Sequence, residues 1–183
     1  MCSLNEDSFV FSPSEIESLD WSVQSDWKDK LESLSLKIRP LQIDDYDRGF
    51  TKLLGQLTHV GDVTKEEFEE RFKLMRETKL VRVVVIEDSN NNQIAGTATL
   101  LCEPKFIHQC SWIGHVQDVC VDEAYRGKGL GKIIVNCLKL LAQQVGAYKV
   151  DLNCSDAKIG FYSALGFKKE DGQANYMTCR YKN

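Results

Sequence analysis

Arg126-Gly127-Lys128-Gly129-Leu130-Gly131-Lys132 lies between an apolar run at Val116–Val121 and the most regular helical pattern in the chain. Three glycines in this spacing let a backbone turn tightly and approach a ligand with no Cβ in the way. Successive amides and the N-terminus of the following helix then face outward as an anion cradle, to which Arg126, Lys128 and Lys132 add full positive charges. The expected ligand is a phosphate or diphosphate.

Downstream, Leu130, Ile133, Ile134, Cys137, Leu138, Leu141 and Val145 recur at the helical period, and Gly146 closes the helix. Upstream, Val116 and Val119 are out of phase for a simple strand, which predicts a bulge between them. Two familiar phosphate loops are excluded. A nucleoside-triphosphate loop needs four residues between its glycines and a hydroxyl after the lysine, whereas three separate Gly127 from Gly131 and Ile133 follows Lys132. A dinucleotide turn needs its glycines directly after the strand, yet Asp122 to Arg126 intervene.

Outward from this centre the chain reads as alternating strands and helices. Leu36-Lys37-Ile38-Arg39 is a strand ended by Pro40, after which Asp44 caps a helix carrying Tyr46, Phe50, Leu53, Leu54 and Leu57. Thr64-x-x-Glu67 is a capping box opening a second helix. Strands over 80–87 and 93–102 are joined by the turn at Asp88–Asn92, and a long connection containing Pro104 and Trp112 leads to a strand over 115–121. After the long helix come a strand over 148–153, a short helix over 156–165 stopped by Gly166, and two strands around Asp171-Gly172. This order predicts an α/β domain with a mixed sheet flanked by helices.

With 183 residues, 43% hydrophobic and 27% charged, the chain suits one ordinary globular domain, residues 36–183. It is preceded by an acidic, serine-rich segment, residues 1–35, holding eight acids, two lysines and nine serines. Ser14 is its candidate helix cap, and Phe9, Phe11, Trp21 and Trp27 are too many aromatics for a solvated tail, so the segment is expected to dock in part. The net charge of −4 argues against a nucleic-acid or anionic-membrane partner. That total hides an asymmetry, since residues 92–183 alone carry +3, a bias that suits an anionic ligand. There is no signal-peptide pattern or apolar run of membrane-spanning length, so a cytoplasmic location is expected, with the seven cysteines read as small buried hydrophobes.

Arg126-x-x-Gly129-x-Gly131 after an apolar strand resembles the diphosphate loop of the GNAT superfamily of acetyl-CoA-dependent N-acetyltransferases. Gly160-Phe161-Tyr162-Ser163-Ala164-Leu165-Gly166-Phe167 is similar to a late motif of the same superfamily. Leu57-Thr58-x-Val60-Gly61, Lys105-Phe106-Ile107-His108, Gly114-His115-Val116-Gln117-Asp118-Val119, Tyr148-Lys149 and Tyr176-Met177-Thr178-Cys179-Arg180 further resemble the glucosamine 6-phosphate N-acetyltransferases, over residues 36–183.

The resemblance implies a mostly antiparallel sheet with splayed central strands, acetyl-CoA as cosubstrate, no metal, and acetyl transfer to the 2-amino group of glucosamine 6-phosphate. It places the diphosphate on Arg126 to Lys132 and the pantetheine arm on the backbone of Val119, Cys120 and Val121, with one amide polarising the thioester. Asp118 holds the amine, and Tyr162 donates to the departing thiolate. Thr58, Lys105, Phe106, Ile107, His108, Gln117, Tyr148, Lys149 and Arg180 form the sugar-phosphate set. A homodimer with a shared active site is also implied. Gln117 and Asn153 stand where that family carries acids, and Lys158 where it has asparagine. Two alternatives stay open: an acetyltransferase acting on protein or polyamine amines, and a catalytically weak acyl-CoA sensor, for which Gln117 and Asn153 are the motivating changes. A metal site of His108, Cys110 and His115 matches no zinc spacing.

Overall fold

The computed structural model describes residues 6–170, 172 and 177–179. In chain order the elements are α1 (Pro13–Glu17), α2 (Trp27–Ser33), β1 (Leu36–Pro40), α3 (Phe50–Leu54), α4 (Lys65–Thr78), β2 (Val81–Asp88) and β3 (Gln93–Pro104). They continue with the turn α5 (Ile107–Cys110), β4 (Trp112–Val121), α6 (Leu130–Gln144), β5 (Ala147–Leu152) and α7 (Ile159–Ser163). The five strands form one sheet in sequence order, antiparallel at the first three junctions and parallel between β4 and β5.

Val83 to Ile86 are all buried because the sheet is covered on both sides. Val84 and Ile86, with Ala98, Leu100 and Val116, pack toward α6. Val83, Val85 and Cys120 pack toward Phe50, Leu53, Phe68 and Phe72 of α3 and α4. A strand buried on both faces loses the alternation of a half-exposed one and reads as a continuous apolar run.

Two features of β4 set up the site. Thr97 pairs with Cys120 and Thr99 with Gln117, so Ala98 alone faces both Asp118 and Val119. This two-against-one register is the expected bulge, and Asp118 takes a left-handed conformation there, φ 51°. The pairing of β4 with β5 ends at Val116 and Leu152, leaving residues 117–121 of β4 without a strand neighbour on that side among the described residues. The central strands therefore part where the bulge lies.

Several local expectations are corrected. In place of a helix running from Asp44 the chain makes a 3-10 turn, Ile43–Tyr46, breaks at left-handed Gly49 (φ 84°), and resumes as α3. The capping carboxylate is Asp45, which accepts from the Gln42 backbone at 2.7 Å. It also accepts two bonds from the Arg39 guanidinium at 2.8 Å each, and its burial overrides the helical pattern. Pro104 and Trp112 end strands, and the connection shrinks to residues 105–111, closed by Lys105 N–H donating to Ser111 O at 2.9 Å. Ser12, before Pro13, occupies the N-cap of α1, with Ser14 inside the helix. Cys102, Cys120 and Cys137 are buried, whereas Cys110, Cys154 and Cys179 are exposed and Cys2 lies outside the described residues. Of the region expected to hold two last strands, the described residues after α7 form none, and 171, 173–176 and 180–183 lie outside them.

The N-terminal segment is part of the core. Phe9, Val10, Ile16, Trp21 and Leu31 are buried, and the Trp21 and Trp27 rings stack at 4.3 Å. The segment runs antiparallel to α6. Gln144 Nε2 donates to Ser18 Oγ at 2.9 Å near one end, and Asn136 Nδ2 donates to Gln24 Oε1 at 2.9 Å in the middle. Among the described residues no helix is long and apolar enough to cross a membrane. Replacing Leu31 with Ala, a large-to-small change in a 2%-exposed position, is expected to cost about 2–5 kcal/mol in urea unfolding. A loss under about 0.5 kcal/mol would show that this segment is not integral to the fold.

Candidate active site

The bulge turns successive β4 side chains to chosen sides. Val119 and Val121 join the α6 cluster together with Phe161 and Tyr162. Cys120 points to the other face, where burial raises its thiol pKa and Sγ donates to Leu53 O at 3.4 Å. The main chain of 119–121, not the Cys120 side chain, is therefore what faces the gap. An unpaired strand edge carries backbone donors and acceptors that an extended amide-bearing ligand can pair with.

The glycine loop follows directly. Gly127 and Gly129 both lie in the left-handed region, φ 76° and 80°, which places the start of α6 at the loop's end. Gly131 is closely packed instead, since a Cβ there would sit 3.3 Å from Cζ of Phe161 and press on that ring. That contact seats α7 against the first turn of α6 and brings the neighbouring Tyr162 to the same end of the sheet. Sequence reasoning missed the loop's scaffold. Gln56, just after α3, donates to Asp122 at 2.7 Å and accepts from the Glu123 amide at 3.0 Å. Arg126 Nε donates to Val121 O at 3.1 Å. Tyr125 donates its hydroxyl to Asp88, and its ring carries Lys128 Nζ 4.9 Å from the centroid. No motif announces Gln56, because its partners lie 66 and 67 residues away.

The two side chains with candidate chemistry have opposite electrostatic needs. Asp118 has no ion-pair or hydrogen-bond partner shown among the described residues. Although the residue reaches solvent, enough protein surrounds its carboxyl for desolvation to raise its pKa above the ordinary carboxylate value. Tyr162 is half-buried, its ring edge-on to Phe161 at 4.9 Å and to Phe167 at 5.9 Å. Burial, and secondarily the nearby Cys154, raises its phenol pKa, so at neutral pH it is a proton-bearing donor.

The residues expected to hold a sugar phosphate lie elsewhere. His108 stacks on Tyr148 at 3.9 Å, in a turn where His108, Gln109 and Cys110 are all left-handed. Phe106 beside them is 97% exposed and Ile107 is 58% exposed. Lys105 pairs with Glu103, and Lys149 pairs with Asp151 at 3.4 Å. Those two carboxylates also hold His115, at 3.0 and 2.5 Å. Lys149 is in register with Ile113, five residues before Asp118 on β4, a separation of about 17 Å at roughly 3.3 Å per strand residue. Within one chain the structure does not bring His108, Tyr148 and Lys149 to Asp118. Gln117 is exposed beside the bulge, and Thr58 is exposed after α3. Arg180 lies outside the described residues. A broad groove of about 1430 Å³ runs along β5 from His115 and Lys149 to Tyr162 and Phe167, and neither Asp118 nor the glycine loop lines it. Among the described residues no cluster of three or more His, Cys, Asp or Glu is placed to hold a metal.

Comparison with known proteins places these features in a family. Residues 79–169, from the end of α4 to just beyond α7, match the acetyltransferase (GNAT) domain. The probable glucosamine 6-phosphate N-acetyltransferase of Drosophila melanogaster is 42% identical over 187 aligned positions, covering 99% of this chain and 85% of that protein. The crystal structure of glucosamine-6-phosphate N-acetyltransferase from Arabidopsis thaliana superposes with a TM-score of 0.77 at 39% identity, covering 80% of this chain and 99% of that one. A protein from Clostridium acetobutylicum described as a predicted acetyltransferase, solved with acetyl-CoA, shares the fold at 17% identity and a TM-score of 0.61, covering 78% of this chain and 96% of that one. The bulged strand, the glycine loop and the identity to the Drosophila protein along nearly the whole chain lead to one assignment: this chain belongs to the glucosamine 6-phosphate N-acetyltransferases of the GNAT superfamily.

Proposed function

We propose that this protein transfers the acetyl group of acetyl-CoA to the 2-amino group of glucosamine 6-phosphate, giving N-acetylglucosamine 6-phosphate and CoA. The observation that carries this reading is the placement of Asp118 on the bulge where β4 and β5 part, one strand end away from the glycine loop. The residues fit the cosubstrate. Two left-handed glycines and the α6 N-terminus present amides to a diphosphate, with Arg126, Lys128 and Lys132 supplying charge and Leu130 anchoring the helix in the core. The free edge of Val119, Cys120 and Val121 suits an amide-bearing arm such as pantetheine. Acetyl-CoA brings the activated acetyl thioester; the protein's part is to bind, orient and move protons.

In this reading the Val119 main chain supplies a donor to the thioester oxygen, where negative charge develops. Such a donor contributes on the order of 3 kcal/mol. Asp118 accepts a hydrogen bond from the sugar amine and aligns it. The new bond joins the amine nitrogen to the acetyl carbon, the carbon–sulfur bond breaks, and Tyr162 donates its phenolic proton toward the sulfur; the nitrogen sheds its surplus proton to solvent beside the exposed Asp118, and solvent returns one to the tyrosinate. An amine beside sugar hydroxyls is less basic than lysine, so no strong base is required.

A sugar phosphate held by Asp118 is too short to reach His108, Tyr148 and Lys149 of the same chain, about 17 Å back along the sheet. This separation supports the family's implied homodimer, in which the exposed Phe106–Ile107 turn and Arg180 of one subunit complete the site of the other. Lys105 and Lys149, both shared with carboxylates in this structure, then serve as a screened rim, with Arg180 as the main phosphate ligand.

Three outcomes follow. Asp118→Asn is expected to lower kcat/KM about 100-fold in a thiol-release assay. The raised native pKa means that the folded state binds the Asp118 proton more tightly than the unfolded chain. Ionisation therefore costs stability above the native pKa, and stability is regained as pH falls through it. The Asn variant should consequently melt no lower than the parent at pH 7, and loss of both activity and Tm would assign Asp118 a structural role. The parent's acid limb should lie above the ordinary carboxylate range and vanish in that variant. Tyr162→Phe is expected to lower kcat about 10- to 100-fold with acetyl-CoA KM within about twofold, and an unchanged kcat would remove the tyrosine from proton delivery. Arg180→Ala should raise the sugar-phosphate KM about tenfold while leaving acetyl-CoA KM in place, and equal losses for both would sink the phosphate role.

A further inference from the structure

We infer that Lys30, on the N-terminal helix α2, is a further binding residue for a phosphate of the CoA nucleotide; this rests on the acetyl-CoA reading above. Lys30 Nζ lies 2.8 Å, and its Cε 3.3 Å, from where a Cβ on Gly129 would stand. The ammonium is thus laid directly on the glycine loop, against the residue that precedes the first helical position of α6.

Its placement is enforced by packing. On one side of Lys30, Leu31 is 2% exposed, and three residues before it Trp27 stacks on buried Trp21. The segment is also tied to α6 at two other levels, Ser18 to Gln144 and Gln24 to Asn136. Those pairs step along α6 by eight residues, and the next step of seven reaches Gly129, where Lys30 lies. At about 1.5 Å per residue the segment therefore follows the helix for roughly 22 Å and ends at its positive pole.

Electrostatics gives this arrangement its meaning. Lys30 of α2 adds a cation to a loop and helix start that already carry Arg126, Lys128 and Lys132, and none of the four forms an ion pair among the described residues. Holding like charges together at a helix N-terminus is unfavourable until an anion joins them. A diphosphate or a ribose phosphate supplies that anion. The acidic segment has only two basic residues, Lys28 and Lys30, and one of them is set here. The Drosophila relative, aligned over 99% of this chain, has a counterpart of this segment.

The test uses the full-length protein and Lys30→Gln, with Lys30→Arg as the conservative control. Three acetyl donors are compared in steady-state kinetics with glucosamine 6-phosphate: acetyl-CoA, 3′-dephospho-acetyl-CoA and S-acetylpantetheine. Lys30→Gln is expected to raise acetyl-CoA KM about 3- to 10-fold, with sugar KM unchanged, Tm no lower than the parent's and Arg restoring the parent value. S-acetylpantetheine, which lacks the diphosphate as well as the 3′-phosphate, should not distinguish the variants. A penalty that persists with the dephospho donor assigns Lys30 to the diphosphate; one that disappears assigns it to the 3′-phosphate. Equal acetyl-CoA KM in parent and Lys30→Gln overturns the inference while leaving the enzyme reading intact. Titration of CoA by calorimetry reads the same loss without turnover, so an inactive parent would reject the enzyme reading and still decide the role of Lys30.

Discussion

One surplus residue in β4 governs the geometry of this protein. Because Asp118 and Val119 together face the single Ala98, the strand rotates at that point, places Val119 and Val121 on the α6 side with Cys120 opposite, and parts from β5. The rotation makes a gap between two strands of one sheet, a place where main-chain donors are unpaired although both sheet faces are covered. It also holds a carboxylate in a left-handed conformation at the edge of that gap, where an amine can be drawn out of water. The proposed cosubstrate elements are supported from this point: the glycine loop leaves the end of the same strand, and α7 is seated by its contact with Gly131.

The N-terminal segment gives the loop a second support. An acidic stretch rich in serine would ordinarily remain solvated, but buried Ile16, Trp21 and Leu31 commit it to the α6 side of the core. The helix whose N-terminus faces the proposed cosubstrate is thus braced along its length by residues outside the region that matches the acetyltransferase domain, 79–169. Stability and cosubstrate affinity are coupled through this brace, in that ordering α2 is also what brings a lysine to Gly129.

The legible parts of the sequence were those written in local periodicity. The out-of-phase valines announced the bulge, the seven-residue apolar pattern announced α6, and Thr64 with Glu67 announced the cap of α4. What was misread depended on partners far away in sequence. Asp45 rather than Asp44 caps the turn after β1 because its carboxylate meets Arg39 across the strand end, and that burial splits an otherwise periodic helix. Gln56 and Lys30 carry no motif, since their loop partners lie some 66 and 99 positions downstream. For the site, resemblance proposes residue types, but it carries no sign of their division between two ends of β4. Lys105, His108, Tyr148 and Lys149 sit in short motifs that say nothing of the strand length separating them from Asp118.

Acetyl transfer to a phosphorylated amino sugar at the bulge is decided by turnover on a small acceptor panel. Thiol release from acetyl-CoA by the full-length protein should be fast with glucosamine 6-phosphate, much slower with unphosphorylated glucosamine, and absent with a lysine peptide or a polyamine. Release with the peptide or polyamine alone would contradict the account, and tight acetyl-CoA binding with no thiol released on any acceptor would make the protein an acyl-CoA sensor instead.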